Sequence, residues 1–204
     1  MTQTKLIYVH DPMCSWCWGY KPTWLKLKAA FASQLIIEYK VGGLAPDSQE
    51  PMPENMRAML QSTWHKISAM LGTQFNFDFW QVCQPRRSTY SACRAAIIAR
   101  AHNKEPQMIG AIQHAYYLHA QNPSDESTLI TLAEKIGIDK QQFTEELCSE
   151  ALNQKLHEEL AFSASLPIQG FPSLVLITDN KAIAIKINYT DHQQTLNTIS
   201  ALLA

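Results

Sequence analysis

The chain has 204 residues, 46% of them apolar and 17% charged, and its 17 Lys plus Arg against 18 Asp plus Glu leave a net charge of −1. This length predicts one domain, or one domain with a large insertion, and allows a core without disulfide staples. The charge balance excludes a strongly basic nucleic-acid binder, Arg86-Arg87 is too short for a polybasic membrane anchor, and no apolar run approaches the roughly 18 residues of a membrane span.

Lys5 to His10 is a short run with β-branched and aromatic residues, a predicted strand. Its apolar stretch is shorter than the about 7 to 15 residues of a secretory signal, and no small-residue cleavage site follows, so this start predicts a cytoplasmic protein. A helical pattern begins near Cys14, with Trp24, Leu27 and Phe31 on one face and Pro22 as an expected kink. Leu35 to Val41 reads as a second strand, ended by Gly42-Gly43, so the start is a βαβ unit.

The middle has a helical period almost throughout. Met56, Leu60, Trp64, Ile67 and Leu71 form one stripe, stopped at Gly72. Ser88 is the expected cap of a helix carrying Cys93, Ile97 and Ala101. Ile109, Ile112 and Tyr116 mark the next helix, and Leu129, Leu132, Ala133 and Ile136 another, closed by Gly137. Asp139 and Gln142 form a predicted capping box ahead of Phe143 and Leu147, with Leu152, Leu156 and Leu160 extending or following that helix. Ser173 to Thr178 reads as a strand, turned at Asp179-Asn180 and paired with Ala182 to Ile187. Asp191 then caps a final helix with Leu196, Ile199 and Leu203. The order β-α-β, helical block, β-β-α predicts a small α/β domain interrupted by an all-helical insertion.

Five cysteines, Cys14, Cys17, Cys83, Cys93 and Cys148, are too few and too unevenly placed for a secreted disulfide framework. Cys14-Ser15-Trp16-Cys17 follows the first strand and opens the first helix. Cysteines at i and i+3 there can close a small disulfide with little backbone movement. The first sulfur sits where unpaired N–H groups and the helix dipole favour negative charge, which lowers its pKa and makes it a nucleophile. The second, a turn further in, is placed to attack the first once a mixed disulfide forms. Zinc wants about four ligands and no second paired motif exists, although His10 would make a third; the motif reads as redox, with no metal. Cys93 and Cys148 read as small buried hydrophobes and Cys83 as a loop residue, and cytosolic conditions disfavour a Cys83–Cys93 bridge. Arg86, Arg87 and Arg94 read either as an anion-binding cleft or as locally paired side chains. Asp11 stands close enough to relay protons, at the cost of raising the thiol pKa, and His10 is equally a satisfied strand residue or an acid–base group.

Asp11-Pro12-Met13-Cys14-Ser15-Trp16-Cys17-Trp18-Gly19 resembles the active-site segment of the DsbA-like thioredoxin-fold proteins, and within them the cytoplasmic protein-disulfide isomerase branch with FrnE-type relatives. Arg87-Ser88-Thr89-Tyr90, Ala92-Cys93-Arg94 and Gly170-Phe171-Pro172-Ser173 carry the same resemblance. It implies an α/β thioredoxin fold, with a thioredoxin domain of residues 1–43 plus 166–204 and a helical insertion of 44–165. It also implies catalysis by Cys14 and Cys17, and a cis Phe171–Pro172 bond facing them. The Phe171 backbone would then pair with an extended substrate, beside Trp16. The periplasmic relatives carry a histidine where this chain has Trp16, so a milder oxidant is expected. The implied partners are protein or peptide thiols and disulfides and a redox recycling partner. No prosthetic group is implied, with glutathione as the one candidate co-substrate. Two other activities share the layout: glutathione-dependent enzymes of the kappa-transferase and 2-hydroxychromene-2-carboxylate isomerase type, in which serine typically replaces the first cysteine, and redox-sensing adaptors for proteolysis.

Overall fold

The structure, a computed structural model, describes residues 4–179 and 181–203. Strand β1 (Lys5–His10) leads into helix α1 (Ser15–Phe31) and strand β2 (Ile36–Val41). The helical block holds α2 (Glu54–Leu71), α3 (Phe79–Val82), α4 (Tyr90–Ala101), α5 (Glu105–Leu118), α6 (Glu126–Lys135), α7 (Lys140–Leu147) and α8 (Glu150–Ser165). Strands β3 (Ser173–Thr178) and β4 (Lys181–Ile185) and helix α9 (His192–Leu203) close the chain. The predicted turn at Asp179-Asn180 falls partly outside the described residues, because Asn180 is not among them.

The sheet order is β2-β1-β3-β4, with β1 parallel to β2 and antiparallel to β3, and β3 antiparallel to β4. Alternation sorts the side chains between two faces. Leu6 and Tyr8 of β1, with Leu174 and Leu176 of β3, pack against Tyr20, Trp24, Leu27 and Phe31 of α1 and Ile199 of α9. Ile7, Val9 and Val175 point the other way, onto Leu166. The fold is therefore an α/β thioredoxin fold with its helices inserted between β2 and β3.

The insertion has its own core, built around α4. Residues Ser91 through Ala99 of that helix are all buried, and its alanines let α5, α6, α7 and α8 approach closely. Trp64, Phe79, Trp80, Tyr116 and Tyr117 fill the space beside it. The insertion also covers the edge of β2, which would otherwise expose a row of unpaired backbone groups. Glu159 accepts from the Val41 amide at 2.7 Å, Ser163 Oγ donates to the Val41 carbonyl at 2.8 Å, and Arg100 donates to the Tyr39 carbonyl at 3.1 Å.

Several local expectations change. Helix α1 runs unbroken through Pro22. The N-cap position of α4 is Thr89, not Ser88; the Ser88 hydroxyl instead accepts from the Ser48 amide. Asp139 accepts from the Gln142 amide, but the Gln142 side chain turns away to Glu146, so only half of the capping box forms. Ser149 caps α8 as a separate helix. Cys148 is exposed at the end of α7 rather than buried, because the helix stops one residue before it. The one-turn α3 has too short a pattern to read from sequence. Among the described residues, no helix is long and apolar enough to cross a membrane.

Candidate active site

Cys14 is the N-cap residue of α1, held extended at φ −80° and ψ 116°, so Ser15, Trp16 and Cys17 form the first helical turn. No acidic residue stands in that turn. The first-turn amides therefore present their partial positive charge beside the Cys14 sulfur without competition from a local carboxylate. Both cysteines are free thiols. Cys14 is more covered than the sequence suggests, at 6% exposed, because its thiol lies beneath the Phe171 carbonyl and donates to it at 3.6 Å. Cys17 is fully buried. Burial first, and the neighbouring Cys14 sulfur second, push its thiol well above the ordinary range.

The Phe171–Pro172 peptide bond is cis. Pro172 is buried and Ser173 opens β3 directly after it. Trp16 is half-buried; its ring meets Tyr189 at 5.3 Å edge-on, with Lys66 Nζ 5.9 Å from the ring centre. The fold thus brings Cys14, Cys17, Phe171 and Pro172 together, with Trp16 on the flank.

Asp11 holds the loop before Cys14. Its Oδ1 accepts from the Met13 amide at 2.7 Å. Its Oδ2 accepts from the Leu44 amide at 2.8 Å, from Thr89 Oγ1 at 2.7 Å and from the Cys93 thiol at 3.6 Å. Burial raises its carboxyl above the ordinary value, and these donors oppose that. With every oxygen engaged, Asp11 is a staple between the cysteine loop and the insertion, not a proton relay. Tyr117 adds a second staple, its hydroxyl donating to the Met13 carbonyl at 2.7 Å. Neither long-range contact has a local sequence signal.

His10 is not a satisfied strand residue. It is fully buried, stacked on Tyr8 at 5.3 Å and edge-on to Tyr39 at 5.8 Å, and neither ring nitrogen has a partner. Burial, aided by the Arg100 charge, lowers its pKa to about 3. Cys83 and Cys93 do not approach one another: the Cys83 thiol donates to the Ala120 carbonyl and that of Cys93 to Asp11. Arg94 pairs with Asp47 through both guanidinium nitrogens at 2.8 Å, and Arg86 pairs with Asp125. The arginine cleft, about 610 Å³, is thus already neutralised by its own carboxylates. Among the described residues, no three His, Cys, Asp or Glu side chains gather as metal ligands would.

Gly42, read from sequence as a strand terminator, shapes the site. Its amide donates to the His10 carbonyl at 2.7 Å, and a Cβ there would meet the Phe171 ring at 2.0 Å. The ring can pack on the β2 end only because no side chain is present. Gly42→Ala is therefore expected to displace Phe171 from Cys14 and to slow thiol–disulfide exchange by about ten- to a hundredfold. Insulin reduction measures it. Trimming the ring in Gly42→Ala/Phe171→Ala should recover most of the loss; no loss in the single variant would show that the ring's seat is irrelevant.

A thiol pair at the first turn of a helix, beside a cis-proline loop on a four-stranded sheet with a helical insertion, defines a dithiol protein of the thioredoxin class. The chain belongs to the DSBA-like thioredoxin domain family, which it matches over residues 5–198. It is similar to a candidate protein disulfide isomerase from Nitrosomonas europaea, with 26% identity, 98% of both chains covered and a TM-score of 0.89. The cytosolic disulfide reductase DsbM from Pseudomonas aeruginosa, also solved with GSH, shares the fold at 20% identity and a TM-score of 0.79, again over 98% of both chains. Among curated proteins, the ClpXP adapter protein SpxH of Halalkalibacterium halodurans is 25% identical over 83% of this chain. The chain spans 57% of that relative's length.

Proposed function

We propose that the protein is a cytoplasmic thiol–disulfide oxidoreductase or isomerase acting on protein or peptide disulfides. The observation that carries this reading is the stacking of functions along one line: the Phe171 carbonyl, the Cys14 thiol 3.6 Å from it, and the fully buried Cys17 one turn below. Cys14 attacks a substrate sulfur, Cys17 resolves the mixed disulfide, and the Phe171 backbone beside Pro172 docks an extended peptide. Trp16, held by Tyr189, forms one wall of that groove. The thioredoxin unit, residues 1–43 plus 166–204, carries the chemistry, and the insertion, 44–165, braces it through Asp11. A thiol such as glutathione would serve as redox co-substrate and a recycling partner would reset the pair. In an insulin-reduction assay the wild type is expected to turn over and Cys14→Ser to lose all activity above background. Activity retained by Cys14→Ser overturns the reading.

The adapter relatives favour a second reading, in which the same thiol pair is the sensor of a binding protein. The double variant Cys14→Ser/Cys17→Ser separates the two in cells: an adaptor keeps its binding role, whereas an oxidoreductase loses its function entirely.

A further inference from the structure

A cavity of about 50 Å³ lies against Cys17, on the side away from Phe171. Its walls include Cys17 itself, Tyr8, Lys21, Trp24, Tyr39 and Gln113. The volume exceeds the roughly 10–15 Å³ a water needs. Gln113 is 3% exposed, and its Oε1 is buried without a hydrogen-bond partner. A buried amide oxygen on a polar cavity is a site that holds water, because leaving it bare costs about 1–3 kcal/mol. Lys21 stands four residues after Cys17, on the same face of α1. Its ammonium lies 4.9 Å over the Trp18 ring, and among the described residues no carboxylate pairs with it.

The chemistry at Cys17 gives such a cavity a task. A fully buried thiol must lose its proton before it can attack, and no protein base touches it on the Cys14 side. We propose that this cavity is the proton exit of Cys17: water held at Gln113 Oε1 takes the thiol proton, and the Lys21 ammonium in the wall stabilises the thiolate left behind. The inference rests on the dithiol reading above. The step balances as follows. The Cys17 proton passes through the cavity water to bulk solvent, the thiolate attacks the Cys14 sulfur, and the Cys14–substrate S–S bond breaks. The Cys14–Cys17 bond forms, the substrate leaves as a thiolate, and two electrons have moved from the dithiol to the substrate disulfide.

The groups facing the pair are compatible with this assignment. Tyr8 from β1 and Tyr39 from β2 are phenols, and Tyr8 is held protonated by burial and by the two nearby sulfurs. Tyr117 from α5 and Tyr189 from the loop before α9 are likewise pushed up by burial. His114 from α5 faces Lys21, and burial and the Lys21 charge lower its pKa. Asp11 is the one carboxylate near Cys17, and it opposes ionisation there through its charge. Lys21 is then the only cation in the cavity wall, and burial lowers its own pKa from the ordinary lysine value. Lys21 is a positioning residue for charge, acting across water rather than by contact.

The test uses the full reduced chain and a substoichiometric amount of 5,5′-dithiobis(2-nitrobenzoate), followed by stopped-flow absorbance. The first released nitrothiolate reports attack by Cys14 and depends on concentration. The second reports resolution by Cys17 and does not. Lys21→Met is expected to slow the second phase about tenfold at neutral pH and to raise its pH midpoint by about one unit. Lys21→Arg should restore most of the rate. Gln113→Leu, which fills and dries the cavity, should slow the second phase as well. The first phase should be unchanged throughout. An unchanged second-phase pH profile in both Lys21→Met and Gln113→Leu overturns the proposal, as does a slowdown in Lys21→Met that is equal at every pH. A second phase that survives in Cys17→Ser would instead overturn the dithiol reading itself.

Discussion

Cys17→Ser is expected to accumulate covalent complexes with its substrates, and Cys14→Ser to accumulate none. The reason lies in the geometry of the pair. Cys14 is the thiol at the surface of the site, under the Phe171 carbonyl, so it forms the mixed disulfide. Cys17 is the only other sulfur in the first turn of α1, and it is sealed from solvent. Its attack is intramolecular, and well-oriented intramolecular reactions reach effective molarities of about 10⁵ M or more. Serine has no accessible anion at neutral pH, so its introduction removes that advantage and leaves only slow rescue by external thiols. The expected loss in the resolution rate is several orders of magnitude. Non-reducing electrophoresis with mass spectrometry of the trapped species measures it, and the bands should vanish on adding reductant. Equal trapping by both variants would mean that another thiol carries the chemistry. Cys148, which is exposed, would then come first, ahead of Cys83, whose thiol is tied to Ala120 and pushed up by burial and the Asp125 charge.

His10→Phe is expected to make the protein more stable, most of all in acid. The imidazole is fully buried in an aromatic stack with both nitrogens unpartnered. Its folded pKa is about 3, against the 6.5 of a free histidine. Between those values the unfolded chain binds a proton that the folded chain refuses. Stability is therefore undiminished by His10 above about pH 6.5 and falls as the pH drops toward about 3, by roughly 4–5 kcal/mol in all. Phenylalanine keeps the contacts with Tyr8 and Tyr39 and removes two bare polar atoms. It should add about 1–3 kcal/mol at neutral pH. It should also flatten the stability curve across the acid window. Urea unfolding at a series of pH values measures both effects. A variant with the wild-type acid profile would show that the proton uptake belongs to another group.

Much of the site was readable before any tertiary contact was known, because its signals are local. A strand pattern ending at His10, a helix pattern starting at Cys14, and two cysteines three apart at that junction specify a thiol pair at a helix start. Gly170-Phe171-Pro172-Ser173 ahead of an apolar run marks the loop facing it. The misreadings are those in which a residue's role depends on something distant. Ser88 and Thr89 are equivalent capping candidates in sequence, and Thr89 takes the N-cap position with its hydroxyl committed to Asp11. Cys148 fits a helical stripe, yet its helix ends one residue too soon.

The amino-acid sequence by itself determined the order of elements, the periodicity that makes each one a helix or a strand, and the placement of Cys14 and Cys17 at the first turn of α1. These depend on neighbours within a few residues, where backbone geometry and side-chain period act directly. Tertiary structure alone decided that Phe171 reaches Cys14 across 157 residues of chain, that its ring seats on Gly42, and that Asp11 ties the cysteine loop to Thr89. It also decided that His10 is left without a partner and that Cys17 opens onto a polar cavity with Lys21 in its wall. Burial, and hence the ionisation of each of these groups, depends on which surfaces meet when the insertion and the sheet close on one another, and no local pattern carries that information.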